Sequence, residues 1–361
     1  MVLEEFLNEW RNDSSTVLVH TSGSTGKPKP MWVEKEKMLN SARVTCDFLG
    51  LKPGDTALLC MPLDYIAGKM VVVRAIERQL ELVSVKPSGH PLASVDATTF
   101  AAMVPLQVYN SLQVPEEKAK LARIKHLIIG GGAIDAELAK ELRTFPNYVW
   151  STYGMTETLS HIALRRLNGD AANLWYTPFD GVDVSTDEDD CLVIDAPLVH
   201  DGVLKTNDRV ELRTDNITGR LQFRILGRKD NVIDSGGIKI QIEDVENRLR
   251  QCLPMPFMIT KMPDRKFGEA IVLLYEGDSL ASDSLHDLCA KALPAYWVPK
   301  RFVNVTSLPM TATGKPARAE AERIVAQQLH NASKPIAEVL FSRRAAEIIP
   351  FGVWESTKPA L

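Results

Sequence analysis

"TSGSTGKPK", Thr21–Lys29, follows directly on the apolar run "TVLVH", Thr16–His20, and packs four hydroxyls, two glycines and two lysines into nine positions. Small residues let backbone N–H groups close on an oxyanion, hydroxyls add hydrogen bonds, and lysine adds positive charge, so the stretch fits a phosphate cradle. A solvated turn would use the same residues, and the stretch alone leaves both readings open. It is not a Walker A loop. Only two residues separate Gly23 from Gly26, and Pro28 stands where a helix would carry its magnesium-binding hydroxyl. A phosphate bound here would sit on a hydroxyl-rich hairpin between two strands.

The chain has 361 residues, the size of two domains or of one large domain with an appendage. With 45% hydrophobic and 24% charged residues it has the composition of a globular protein with a sizeable core. A formal charge of −4 and the lack of a basic stripe argue against nucleic acid as a partner. No apolar stretch reaches the length of a membrane span, and the acidic start "MVLEEFLNEWRND" has no signal-peptide core. The five cysteines, Cys46, Cys60, Cys191, Cys252 and Cys289, fall in no metal-ligand spacing and suit a reducing, cytoplasmic setting.

Along the chain, strand and helix alternate. A short helix to about residue 12 precedes "STVLVH", and "PMWVE" is a second short strand. The spacing then predicts a helix through "EKEKMLNSARVTCDFLG" that stops at Gly50, and a strand "TALLCM". A helix over Lys69–Leu80, "ELVSV", a helix near Pro115–Ala122, "HLIIG", a helix over Asp135–Phe145 and "YVWST" complete a layered α/β region with a largely parallel sheet. After about Asn173 the short strands "CLVIDAP", "RVELRT" and "LQFRIL" point to a β subdomain. Beyond "GRKDN" come the helical "IEDVENRLRQCL", with Ile242, Val245 and Leu249 on one face, the strand "EAIVLLYEG" and a helix over Leu285–Leu293. The expected fold is a large α/β N-terminal domain with a β subdomain, residues 1–229, and a small mobile α+β C-terminal domain, residues 230–322, with residues 323–361 as an unassigned tail.

Ligands of open parallel sheets collect beyond the carboxyl ends of the strands. "STYGMTET", Ser151–Thr158, lies there and offers a ring for stacking, a glycine for close approach, hydroxyls and Glu157, which could hold magnesium against a phosphate. "IGGGAID", "KTNDRVEL", "GRKDNVIDSGGIKI" and "PMTATGKPAR" each have an ordinary explanation as turn, linker or surface loop. Together and in this order, "TSGSTGKPK", "YGMTET", "GRKDNVIDSGGIKI" and "TATGK" resemble the hallmark segments of the adenylate-forming superfamily of acyl-CoA synthetases, luciferases and peptide-synthetase adenylation domains. The resemblance covers roughly residues 15 to 322.

That resemblance implies ATP, Mg2+ and coenzyme A as reactants, and it assigns residues. Thr21, Ser22, Ser24, Thr25 and Lys27 would grip the β- and γ-phosphates. Gly131, Gly132 and Ala133 would border the adenine and acyl pocket, with Ser151, Thr152, Tyr153 and Gly154 along the nucleotide and Tyr153 against adenine. Thr156 would lie near the α-phosphate, Glu157 on magnesium, and Asp208 and Arg228 on the ribose hydroxyls. Asp230 would be the hinge, Gly236 and Gly237 would line the path of the CoA arm, and Lys315 would reach the α-phosphate and the attacking carboxylate. The chemistry needs such a cation: two anions must meet, and a lysine with an ordinary pKa of about 10.4 is charged at neutral pH. A lysine on a mobile domain can then withdraw so that a thiol reaches the acyl carbon.

The sequence departs from the superfamily in three places. Tyr65 in "PLDYIAG" stands where members usually have histidine, "TND" replaces Thr-Gly-Asp, and the hydroxyl loop begins at Thr21, more than a hundred residues early, as if much of an N-terminal subdomain were missing. In its compactness the chain most resembles the short o-succinylbenzoate–CoA ligases of menaquinone synthesis. Their dicarboxylate substrate would need a cation for its second carboxylate, for which Arg74 is the first candidate and Lys69 the weaker one, with Tyr65 at the same pocket. Rival readings are a CoA ligase for another aromatic or aliphatic acid, a carrier-loading adenylation enzyme and a silent nucleotide sensor.

Overall fold

The structure, a computed structural model, describes residues 1–20, 30–277, 282–311 and 315–332. The hydroxyl loop, with Thr21, Ser22, Ser24, Thr25 and Lys27, lies outside the described residues. Its frame lies within them. Thr16–His20 and Pro30–Glu34 pair antiparallel with His20 opposite Pro30, so residues 21–29 do join two strands of a hairpin.

The central sheet has seven strands, in the order Glu81–Ser84, Thr56–Leu59, Phe100–Met103, His126–Ile129, Tyr148–Gly154, His161–Arg166 and Thr177–Pro178. The first five are parallel, and His161–Arg166 pairs antiparallel with its neighbour on either side. The chain steps outward from Thr56–Leu59 to Glu81–Ser84 and then returns to build on the other side. That reversal opens a crevice at the carboxyl ends of the strands. Phe100–Met103 and His126–Ile129 are buried throughout, as parallel strands covered on both faces must be. Side chains alternate between two cores: Ala57, Leu59, Phe100 and Ala102 face one, and Leu58, Ala101, Met103 and Leu127 the other.

Helix Lys35–Leu49 ends at Gly50 as expected. The helix expected over Lys69–Leu80 starts a turn earlier, at Ile66, and ends at Arg78. Three central elements had no sequence signal. "FAAM" in Phe100–Met103 lacks β-branched residues, helix Pro105–Gln113 is short, and "HIALRR" in His161–Arg166 has only weak alternation.

The β subdomain is a four-stranded antiparallel sheet of Asp183–Thr186, Cys191–Asp195, Val203–Thr214 and Leu221–Arg228. A single 3-10 turn, Lys229–Asn231, leads from it into a five-stranded sheet formed by Val232–Ser235, Ile238–Gln241, Phe257–Asp264, Gly268–Glu276 and Arg301–Val305. The cores of this C-terminal sheet contain only residues that follow the turn. Helix Arg318–Ala332 runs across the boundary expected at 322/323, and its Ala321 and Val325 are buried beside Met258 and Val272. No helix among the described residues is long and apolar enough to cross a membrane.

Candidate active site

The site is built at the carboxyl end of Tyr148–Gly154, where successive side chains take opposite directions. Ser151 Oγ and the Tyr176 hydroxyl lie 2.7 Å apart, Thr152 Oγ1 donates to the Ile129 carbonyl at 3.3 Å, and the Tyr153 hydroxyl donates to Asp208 Oδ2 at 2.6 Å. Burial, and then the Asp208 charge, push the Tyr153 phenol up, so it remains a donor. The Tyr153 ring meets Phe223 edge-on at 5.0 Å, and Phe223 stacks on Tyr176. Asp208 and Arg228 face each other across the two longest strands of the subdomain, and Arg228 Nη1 donates to Asp208 Oδ1 at 3.2 Å. The other edge of Arg228 grips Asp230 through two bonds of 2.9 Å. These bonds raise the proton affinity of Arg228; on Asp230 burial opposes them, yet the carboxyl is held below its ordinary range.

Beyond Tyr153 the chain turns sharply. A Cβ on Gly154 would sit 2.2 Å from the Ser160 carbonyl oxygen, so glycine is required there. Thr158, fully buried, holds the turn: its Oγ1 accepts from the Met155 N–H at 3.0 Å and lies 2.7 Å from the Ser160 carbonyl. Thr156 is buried in this turn and Glu157 half-buried. Gly131, Gly132 and Ala133 lie in the loop after His126–Ile129, the neighbouring strand.

Lys315 stands at the end of a closed arm. Its N–H donates to Thr311 Oγ1 at 3.0 Å, its carbonyl accepts from the Thr311 N–H at 2.7 Å, and Met310 pairs with Pro316. Burial lowers its proton affinity, Arg228 lowers it further, and Asp208 opposes both. The ammonium therefore shares the electrostatic neighbourhood of the Tyr153–Asp208–Arg228 chain. Gly236 and Gly237, at φ +64° and +81°, make the tight turn between Val232–Ser235 and Ile238–Gln241, so that hairpin demands them on its own account.

The three residues nominated for the acid differ in their surroundings. Tyr65, half-buried, caps the start of helix Ile66–Arg78. Lys69 is buried and engaged in holding the fold: Nζ donates to the Leu18 carbonyl at 2.9 Å, lies 3.3 Å from Glu9 Oε2, and covers the Phe6 ring at 5.0 Å. Arg74 is only 2% exposed and pairs with no carboxylate among the described residues. Its Nη2 donates to Ser160 Oγ at 2.5 Å and to Thr45 Oγ1 at 3.4 Å, and Nε has no partner among the described residues. Burial pulls its pKa down to about 10, with Cys46 opposing. His161 completes the cluster with its Nε2 3.1 Å from Thr45 Oγ1 and Nδ1 3.2 Å from Ser160 Oγ. Burial, and then Arg74, hold its imidazole neutral. Thr45, Ser160, His161, Tyr176 and Phe223 had no local sequence signal, because each acquires its place only when distant segments meet.

Comparison with known proteins places the chain in a family. The AMP-binding enzyme family matches residues 4–193, and the chain belongs to it. A solved acyl-CoA synthetase (AMP-forming)/AMP-acid ligase II-like protein from Dyadobacter fermentans is 33% identical, covering 88% of this chain and 92% of that one, with a TM-score of 0.58. The curated 2-succinylbenzoate–CoA ligase of Bacillus cereus is 25% identical over 348 residues, 88% of this chain and 71% of that protein. The o-succinylbenzoate coenzyme A synthetase of Bacillus subtilis, solved in complex with ATP and magnesium ion, shares the fold at a TM-score of 0.69 and 23% identity, over 85% of this chain and 70% of that one.

Proposed function

We propose that the protein is an AMP-forming acid–thiol ligase that joins a carboxylic acid to ATP as an acyl-adenylate and passes the acyl group to coenzyme A, with 2-succinylbenzoate as the acid. The observation that carries this reading is the Tyr153–Asp208–Arg228 chain at the sheet's carboxyl ends with the Lys315 ammonium in its field. Tyr153 lies along adenine, beside Gly131, Gly132 and Ala133. Asp208, already fixed by two donors, keeps lone pairs for the ribose hydroxyls. Thr156 serves the α-phosphate. Glu157 would supply a carboxylate to a magnesium ion brought by the nucleotide, which would screen the phosphate charge. Lys315 neutralises the meeting of carboxylate and α-phosphate. Asp230 is the hinge on which the C-terminal domain then turns, and Gly236 and Gly237 leave room for the thiol arm.

The dicarboxylate follows from Arg74. A buried guanidinium that meets no carboxylate among the described residues is costly, and a substrate's second carboxylate would complete it. The greater identity to the Dyadobacter protein favours a second reading, a different acid on the same machinery. Pyrophosphate exchange into ATP with a panel of mono- and dicarboxylic acids, followed by CoA as acceptor, decides between them. Exchange and thioester with 2-succinylbenzoate are expected. Exchange with another acid alone moves the substrate, exchange without a CoA thioester indicates a carrier-loading enzyme, and exchange with none leaves a nucleotide sensor.

A further inference from the structure

We infer that the ion pair of buried Glu246 with half-buried Arg318 is a positioning device for Lys315. The inference rests on the reading of Lys315 as the cation of the adenylation step. Arg318 opens helix Arg318–Ala332, three residues after Lys315. Its guanidinium donates to Glu246 Oε1 at 2.9 Å and Oε2 at 3.0 Å, and to the Ile259 carbonyl at 2.8 Å. Glu246, buried on helix Ile242–Leu249, also accepts from the Ile259 N–H at 3.0 Å. One fork-to-fork pair thus ties the start of the last helix to another helix and to strand Phe257–Asp264.

The arm that bears Lys315 hangs from this clamp. Ala317 N–H donates to the Pro309 carbonyl at 2.9 Å, and Met310 pairs with Pro316, so residues 315–317 lie back against residues 309–311 directly before Arg318. The arm's direction is therefore set where Arg318 is gripped. Arg318 also lies in the field of Asp230, so the clamp is next to the turn where the C-terminal sheet begins. The helix itself is held independently by Ala321 and Val325 in the core. Loss of the clamp should loosen the arm without unfolding the domain.

The test is the double variant Glu246→Leu with Arg318→Met, which removes both charges together and leaves neither buried alone. Acyl-adenylate formation is expected to fall about 100-fold, the scale of a displacement of about 1 Å at a reacting group. Thioester formation from supplied acyl-adenylate should stay within about 3-fold of wild type, because that step proceeds with the lysine withdrawn. Arg318→Lys, which keeps the charge but not the fork, should fall between the two, and it serves alone should the double variant fail to fold. Equal loss of both half-reactions, or loss of neither, overturns the inference. A Lys315→Ala chain with undiminished adenylation would separately bring down the reading beneath it.

Discussion

Burial and the Arg228 guanidinium both lower the proton affinity of Lys315, and Asp208 opposes them. A lysine is a cation below its pKa and neutral above it. Adenylation by the free enzyme should therefore be lost as pH rises through this lowered value, at a pH below the ordinary 10.5. A pH profile of kcat/KM whose alkaline limb lies at or above 10.5 would contradict the assignment. Lys315→Ala should slow acyl-adenylate formation by about 1000-fold, as removal of one transition-state donor does. Thioester formation from supplied adenylate should be preserved; single-turnover assays of each half-reaction measure the split. Arg74 makes a different prediction. Arg74→Met removes a buried charge that has no carboxylate partner among the described residues, so the melting temperature should not fall. Activity on 2-succinylbenzoate should drop about 100-fold relative to monocarboxylic acids, about 3 kcal/mol of lost charge-assisted bonding. A variant that melts lower and keeps its preference would make Arg74 a structural residue, as Lys69 is through Glu9 and the Leu18 carbonyl.

At the scale of elements, the turn after strand Tyr148–Gly154 places Thr156 and Glu157. It leaves no space for a side chain at Gly154, where a Cβ would be 2.5 Å from His161 Cα as well as overlapping the Ser160 carbonyl. Gly154→Ala should cost about 3 kcal/mol through overpacking against backbone that cannot rotate away. Denaturant unfolding checks this, and a loss under about 1 kcal/mol would mean the turn yields. The glycine was legible as a candidate for close approach; what it approaches was not. "YGMTET" shows a strand running into polar residues, whereas Ser160 and His161 fold back onto Gly154 through the antiparallel pairing with His161–Arg166. That strand's amphipathic signal is too weak to announce the pairing. Helix Arg318–Ala332 is different: Ala321, Ile324, Val325 and Leu329 recur at helical spacing, a signal the sequence carried, while the strands they pack on lie far away in the chain.

Across the whole molecule, acid should act through histidines that the fold keeps neutral. His126, at the opposite end of the sheet from the site, stacks on Tyr148 with neither ring nitrogen bonded among the described residues. Burial, aided by Lys125, pulls its pKa down to about 4 from 6.5. The unfolded chain thus takes up a proton that the folded chain refuses. The stability due to this group is intact above about pH 6.5 and is lost as pH falls from there towards 4. His126→Phe should flatten the melting temperature across that window, and an unchanged slope would exclude His126 as a cause. The class of fold was readable because its signals are local: apolar runs for buried parallel strands, hydroxyls and glycines at strand ends, and four spaced motifs in order. The sequence by itself determined which chemistry the protein's residues can perform. Only tertiary structure decided which residues are free to perform it. Arg74 and Lys69 lie on one helix five positions apart, yet among the described residues one meets no carboxylate while the other is engaged by Glu9. The partners that distinguish them come from segments far away in the chain, and proximity of that kind is a product of packing.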